Sequence, residues 1–141
     1  MAVNMRVFEN PVNEVLNGKS YLSFLSNKSI LEKRKLLSLL LRVYTDASPS
    51  DITSMKIKDL HMLRENGVVE ISGNKVTMTE GGLKFIIEEL YKILIIGRQD
   101  EDFLIVSIVK RKPLSSINLK RDCNEIIVNL LAKLYGNSYY V

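Results

Sequence analysis

A β-hairpin signature in the middle of a chain otherwise patterned for helices constrains this fold most. Residues 68–71 (Val-Val-Glu-Ile) are rich in β-branched side chains, and Ser72-Gly73-Asn74 supplies turn chemistry. Residues 75–78 (Lys-Val-Thr-Met) then alternate polar and apolar side chains, as a half-buried strand does. Apolar residues recur at helical spacing on both sides of this unit. The sequence therefore predicts an α+β fold, mainly α with one small β-hairpin.

Three helices are predicted before the hairpin. Ser29-Ile30-Leu31-Glu32 is a capping box, and an apolar stripe at helical spacing follows it as far as Tyr44. Ser48-Pro49-Ser50-Asp51 has a serine cap, a proline at the first helical position and an acid at the third, which predicts a second, short helix. A third helix is predicted over residues 55–66, because Thr53 and Ser54 can cap it and Gly67 suits the left-handed position that ends it.

Further helices are predicted after the hairpin. Apolar residues at helical spacing extend from Leu83 to Ile96, and a polar break follows at residues 97–102. Residues 103–109 are apolar except for Ser107, which fits either a buried strand or a helix. A last amphipathic helix runs from about Leu119 towards Gly136. We therefore divide the chain into a helical lead-in (1–28), a central domain (29–96) and a helical C-terminal appendage (97–141).

The chemical inventory argues against an enzyme. The chain has one cysteine, Cys123, and one histidine, His61, so a conventional zinc site is not expected. Phosphate-binding glycine loops and the nucleophile-elbow pattern do not occur. Asp100, Glu101 and Asp102 suggest a Mg²⁺-dependent hydrolase as an alternative, but consecutive carboxylates rarely converge on one ion, and we favour a solvated loop. We expect no cofactor, no metal and no catalytic residues.

The chain is also expected to be a soluble protein of the cytoplasm that does not enter a membrane. The N-terminal residues lack the apolar core of a secretory signal. The longest apolar runs are separated by Arg98 and the acidic residues that follow, so neither approaches the ~20 residues that a membrane span needs.

Two segments carry a resemblance to a known family. Residues 57–69 (Ile-Lys-Asp-Leu-His-Met-Leu-Arg-Glu-Asn-Gly-Val-Val) look like a recognition helix with leucines three apart that runs into glutamate-any-glycine and a first wing strand. Residues 76–83 (Val-Thr-Met-Thr-Glu-Gly-Gly-Leu) are similar to the threonine-glutamate-any-glycine segment that closes a wing and opens the next helix. The chain thus resembles the winged-helix (winged helix-turn-helix) DNA-binding superfamily, especially small regulators of archaea and of their viruses and plasmids.

The resemblance implies a DNA-binding transcriptional regulator with helical extensions at both ends. Helix 55–66 would read the major groove of double-stranded DNA, led by its N-terminal half, and the wing (70–78) would reach the backbone or minor groove. A basic run near the start of the first helix would add phosphate contacts, although the sequence alone favours a solvated face for that run. The candidate DNA-binding residues are Ser54, Lys56, Lys58 and His61 in the helix region, Asn74 and Lys75 in the wing, and Lys33, Arg34 and Lys35 in the basic run.

Regulators of this kind usually bind as dimers, and the appendage offers a dimerisation face. Leu119, Ile126, Leu130 and Leu134 fall on one side of the last predicted helix. That face would either pair with a second copy in an isologous contact or pack against the same chain.

The charge of the chain leaves a second function open. Twenty Lys and Arg against sixteen Asp and Glu give a net charge of +4, which permits an anionic partner without requiring one. Residues 29–96 hold ten basic and nine acidic side chains, a difference of only +1. Because nonspecific DNA affinity comes mainly from phosphate neutralisation, the alternative is a winged-helix module that binds proteins in a transcription or replication assembly.

Overall fold

The computed structural model describes Phe8, Asn10, Val12 and residues 29–79, 96–106 and 112–135, except for the side chains of Ile30, Leu130 and 133–135. Within these ranges the chain forms four helices and one antiparallel hairpin, which confirms the predicted α+β class. The elements are α1 (Ile30–Tyr44), α2 (Pro49–Ser54), α3 (Ile57–Asn66), β1 (Val68–Ile71), β2 (Asn74–Thr77) and α4 (Ser116–Tyr135).

Helix α1 is the centre of the core. The Ser29 hydroxyl accepts a hydrogen bond from the Glu32 amide at 3.2 Å, so the predicted cap is present. From Leu36 onward the helix is buried on every side, beyond the single stripe that the sequence predicts. A helix that is apolar all round belongs inside a domain. Its residues with no exposed surface include Leu36, Leu37, Leu39, Leu40, Leu41, Val43 and Tyr44.

The short helix α2 begins at a reciprocal cap, and the longer helix α3 begins at a one-sided cap. The Ser48 hydroxyl accepts from the Asp51 amide at 3.1 Å, while the Asp51 carboxylate accepts from the Ser48 amide at 3.0 Å. The Asp59 carboxylate accepts from the Lys56 amide at 2.8 Å. Helix α3 starts at Ile57, two residues later than the predicted start at Met55. Met55 instead has an extended backbone and a fully buried side chain, and it lies between α2 and α3.

The hairpin follows α3 after a single residue. Gly67, at φ 72°, ends α3 in the left-handed region, and its amide donates to the Leu63 carbonyl at 2.8 Å. Strands β1 and β2 pair from Val68↔Thr77 to Ile71↔Asn74. The two-residue turn has Ser72 at φ 50° and Gly73 at φ 82°, the positive pair of a type I′ turn.

The segment between α1 and α2 attaches to the second strand of the hairpin. Thr45 forms an isolated antiparallel bridge with Met78. The Asp46 amide donates to the Thr77 carbonyl at 3.2 Å, and the Asp46 carboxylate accepts from the Thr77 amide at 2.7 Å. The hairpin is therefore fixed to the helical core along β2.

The C-terminal helix α4 packs on α1 and, less extensively, on α2. Leu119, Cys123, Ile126, Ile127 and Leu131 belong to the same buried cluster as the residues of α1. The sequence predicted that residues 97–141 form an appendage. In the structure, α4 of this segment shares one hydrophobic core with residues 29–79. Val12 is buried in that cluster as well, and Phe8 packs against it.

Several predicted elements lie outside the described residues. These are most of the lead-in (1–28), the greater part of the helix predicted from Leu83 to Ile96, and residues 107–111. Residues 103–106 form neither a helix nor a regular strand, since Phe103 and Val106 take part only in isolated bridges. Of the helices in the described ranges, none combines the length and the apolar character required to cross a membrane.

Candidate nucleic-acid interface

Helix α3 turns one face to the core and the opposite face to solvent. Ile57, Leu60 and Leu63 are buried, with 1% or less of their surface exposed. Residues four apart on a helix lie on the same side, so Lys58 and Met62 share the outward face with the adjacent Asn66. All three are exposed, and 49% of the Met62 surface is open. This side of α3 is the one available to a partner.

An acidic loop (residues 97–103) covers the N-terminal end of this face. Lys56 Nζ lies 3.2 Å from one carboxylate oxygen of Glu101, and Lys58 Nζ lies 2.7 Å from the other. The hydrogen bond from Lys58, followed by that from Lys56, lowers the pKa of Glu101. The bond to Glu101 in turn raises the pKa of Lys58. Two predicted DNA-contacting lysines therefore share a single carboxylate of their own chain.

The third predicted reader on α3 also meets this loop. His61 Nε2 lies 3.6 Å from the nearer carboxylate oxygen of Asp100. Ser54, in contrast, is the last residue of α2 and does not belong to α3. Its assignment to the reading helix followed from the early predicted start of that helix. The structure thus brings Lys56, Lys58 and His61 together and leaves Ser54 on the neighbouring element.

The predicted wing residues flank a groove between α3 and the hairpin. This groove has a volume of about 460 Å³, and its lining includes Met62 and Asn66 of α3, Val68 of β1 and Lys75 of β2. Lys75 is exposed. The Asn74 side chain donates to the Asp51 carboxylate at 3.0 Å, which ties the hairpin tip to α2. Lys75 therefore adjoins the outward face of α3, whereas the Asn74 amide group has a structural partner.

The three consecutive basic residues of α1 lie in different surroundings. Arg34 Nη2 is 2.8 Å from Asp122 of α4, and these side chains are only 11% and 5% exposed. Lys35 Nζ is 2.6 Å from Glu125, also on α4. Adjacent helical residues point about 100° apart, so Lys33, Arg34 and Lys35 do not form one face. Arg34 and Lys35 join α1 to α4, and Lys33 is partly exposed.

The predicted dimerisation residues have two outcomes. Leu119 and Ile126 are 0% and 1% exposed, so their own chain already covers them. These two residues therefore follow the alternative prediction for this face, in which α4 packs against its own chain. The side chains of Leu130 and Leu134 lie outside the described residues.

The position of the acidic loop is the main feature of the site that sequence reasoning missed. The sequence suggested a solvated loop because Asp100, Glu101 and Asp102 are consecutive and polar. Their contacts with residues more than 40 positions earlier in the chain leave no local sequence signal. Among the described residues, no three His, Cys, Asp or Glu side chains come together as metal ligands.

Comparison of the chain with protein-family models, curated proteins and solved structures yields no match. Its function must therefore be inferred from its own geometry.

Proposed function

We propose that this protein is a DNA-binding transcriptional regulator of the winged-helix type. In this proposal α3 enters the major groove, and the hairpin contacts the backbone or the minor groove. The observation that carries it is the outward face of α3, which runs from Lys58 through Met62 and adjoins Lys75 across the groove. A helix beside a β-hairpin fits a duplex because the major groove, about 12 Å wide, admits one helix.

The arrangement of the elements supports the same proposal. Within residues 29–79 three helices precede the hairpin, and the segment after the first of them pairs through Thr45 with Met78, directly after the second strand. This order and the attachment along β2 are compatible with a winged helix. The Asp59 carboxylate, which would repel phosphate from the surface of α3, is bonded to the Lys56 amide. The Met62 side chain is suited to apolar contact with a thymine methyl group.

A salt titration tests the proposal. Binding of the full chain to a labelled random-sequence duplex is measured by fluorescence anisotropy at increasing salt. We expect the logarithm of the affinity to fall linearly with the logarithm of salt concentration. Lys58→Ala should weaken binding and reduce the slope by about one. Lys120→Ala is the control, because it removes the same charge from an exposed position on α4, a helix that packs on α1 and α2. This variant should leave the slope unchanged.

The proposed regulator acts as a homodimer, because two half-sites about 34 Å apart match two reading helices. That contact requires a surface other than Leu119 and Ile126, which are buried. The outer side of α4 still exposes apolar groups, with Ile117 at 76% and Val128 at 38%. Light scattering across a concentration series measures the mass, and a monomer bound to palindromic duplex would remove this part of the proposal.

A protein-interaction module is the second candidate, and the α3–hairpin groove favours it. The groove is lined largely by apolar surface, and Lys56 and Lys58 already share the single carboxylate of Glu101. Replacing both lysines by glutamate separates the two functions. A regulator would lose duplex binding, whereas a module that docks protein in the groove would keep its partner and show no duplex binding even as wild type.

A further inference from the structure

Main-chain hydrogen bonds fix the acidic loop to the start of α3. The Ile57 amide donates to the Asp102 carbonyl and the Lys58 amide donates to the Asp100 carbonyl, both at 3.0 Å. The Leu104 amide donates to the Met55 carbonyl at 2.8 Å. The first two of these bonds use amides that an α-helix leaves unsatisfied at its N-terminus. The backbone of the loop is therefore a built part of this end of the helix.

The loop is also braced from within. The Gln99 amide donates to the Asp102 carboxylate at 2.9 Å, and the Asp102 amide donates to the Gln99 carbonyl at 3.0 Å. The Arg98 guanidinium donates to the carbonyls of Phe103 and Leu104. These bonds fix the main chain at Glu101 but do not fix the position of its carboxylate.

Among the residues that the structure describes, only exposed ion pairs hold the Glu101 carboxylate. Its side chain is 67% exposed, and its lysine partners are 35% and 47% exposed. Exposed pairs of this kind contribute little to stability and are screened by salt. A phosphate group can therefore replace the carboxylate at both lysines while the main chain of the loop stays in place.

We propose that the acidic loop is an intramolecular competitor of nucleic-acid phosphate, in which Glu101 occupies Lys56 and Lys58 until a duplex displaces it. This inference rests on the proposed DNA-binding function and adds its regulation. The competitor lowers affinity for every duplex by a similar factor. Random sites, which depend on phosphate contacts alone, then fall below useful affinity, while a site with additional base contacts remains bound.

The test compares two variants that change the charge of this loop equally. Glu101→Gln removes the carboxylate that pairs with both lysines. Asp102→Asn is the control, because the Asp102 side chain bonds the Gln99 amide, an interaction that the asparagine oxygen can keep. Duplex binding is titrated with salt for wild type and both variants. Glu101→Ala repeats the measurement without an amide oxygen that could still accept from a lysine.

We expect Glu101→Gln and Glu101→Ala to bind the random duplex roughly twofold to fivefold more tightly at about 0.1 M salt for each ion pair that the duplex no longer has to displace. The slope of log affinity against log salt should stay close to that of wild type, because the same lysines meet phosphate in both complexes once Glu101 is displaced. Asp102→Asn should change the affinity less than about twofold, since it alters only distant charge at this ionic strength.

Three results would overturn the inference, and they differ in whether the proposed DNA-binding function is refuted as well. Equal gains for Glu101→Gln and Asp102→Asn would assign the effect to overall charge. Unchanged binding by both Glu101 variants, with wild type binding normally, would show that the lysines meet no phosphate while DNA binding itself stands. Absence of duplex binding by every variant at low salt would remove the proposed function, and the competitor with it.

Discussion

Removing the Asp122 carboxylate should destabilise the fold strongly, because it leaves a charged guanidinium buried between α1 and α4. Arg34 Nη2 lies 2.8 Å from this carboxylate, and the two side chains are 11% and 5% exposed. Arg34 Nη1 also donates to the Val106 carbonyl at 3.2 Å, while buried Arg34 Nε has no hydrogen-bond partner among the described residues. Asp122 is therefore the only described carboxylate paired with this cation.

The expected loss is set by the uncompensated charge. Breaking a buried ion pair by removing one partner costs about 3–5 kcal/mol. A domain of ordinary stability has about 5–15 kcal/mol in total, so Asp122→Ala should lose a large share of it. With a urea dependence of about 1–3 kcal/mol per molar, the midpoint of unfolding should fall by about 1–5 M.

The neighbouring ion pair provides a matched control. Glu125 lies on α4 within one turn of Asp122 and pairs with Lys35, the residue after Arg34. Its side chain is 51% exposed, so Glu125→Ala should leave the midpoint unchanged within error. Both variants are followed by far-ultraviolet circular dichroism in urea.

A midpoint for Asp122→Ala equal to that of Glu125→Ala would refute the reasoning. A double variant sharpens the test, since replacing Arg34 by Met and Asp122 by Leu removes both charges and keeps apolar volume. Replacing a buried pair in this way is often neutral or stabilising, so the double variant should recover most of the loss. If it remained as unstable as the single variant, lost packing and not the stranded charge would be the cause.

Three smaller predictions follow from local geometry. Ser72→Gly should stabilise the protein by about 0.5–1 kcal/mol in urea unfolding, because Ser72 has a positive φ of 50° that glycine adopts freely. Asp59→Ala should cost about 1 kcal/mol in the same assay, since it removes the carboxylate that caps α3. Burial raises the pKa of the Cys123 thiol from 9.0 to about 11, against an opposing effect of Arg42. The folded chain therefore keeps this proton where the unfolded chain loses it, and the stability contributed declines as pH rises from about 9 to 11. At about pH 8 a disulfide reagent should label the thiol slowly in the native protein and rapidly in urea.

Local signals in the sequence predicted the elements well. Ser29, Ser48 and Gly67 each lie at a helix end because their own side chain or backbone satisfies groups within a few residues. The turn residues at 72 and 73 gave the hairpin for the same reason. The start of α3 was placed too early, because Thr53 and Ser54 are good capping residues and the actual cap depends on Asp59.

Tertiary placement was less accessible, although one signal was present. Leu39 adds an apolar residue to α1 outside its predicted stripe, and a helix apolar all round is a central helix. A central helix needs a covering element near its N-terminal turns, and α4 is that element. That argument predicts that Arg34, in these turns, lies between α1 and α4. The pairing of Glu101 with Lys56 and Lys58, in contrast, depends on how a distant loop returns to α3.

The net charge of the sequence therefore differs from the charge that this surface can offer a partner. Of the six lysine and arginine residues predicted to contact DNA, Arg34 and Lys35 join α4, and Lys56 and Lys58 share Glu101. These two groups are not equivalent. Moving Arg34 to a phosphate would leave the buried Asp122 carboxylate without this partner. Releasing Lys56 and Lys58 needs only the rotation of the exposed Glu101 side chain. Any phosphate affinity of this face should thus be governed more by residue 101 than by the number of basic residues around it.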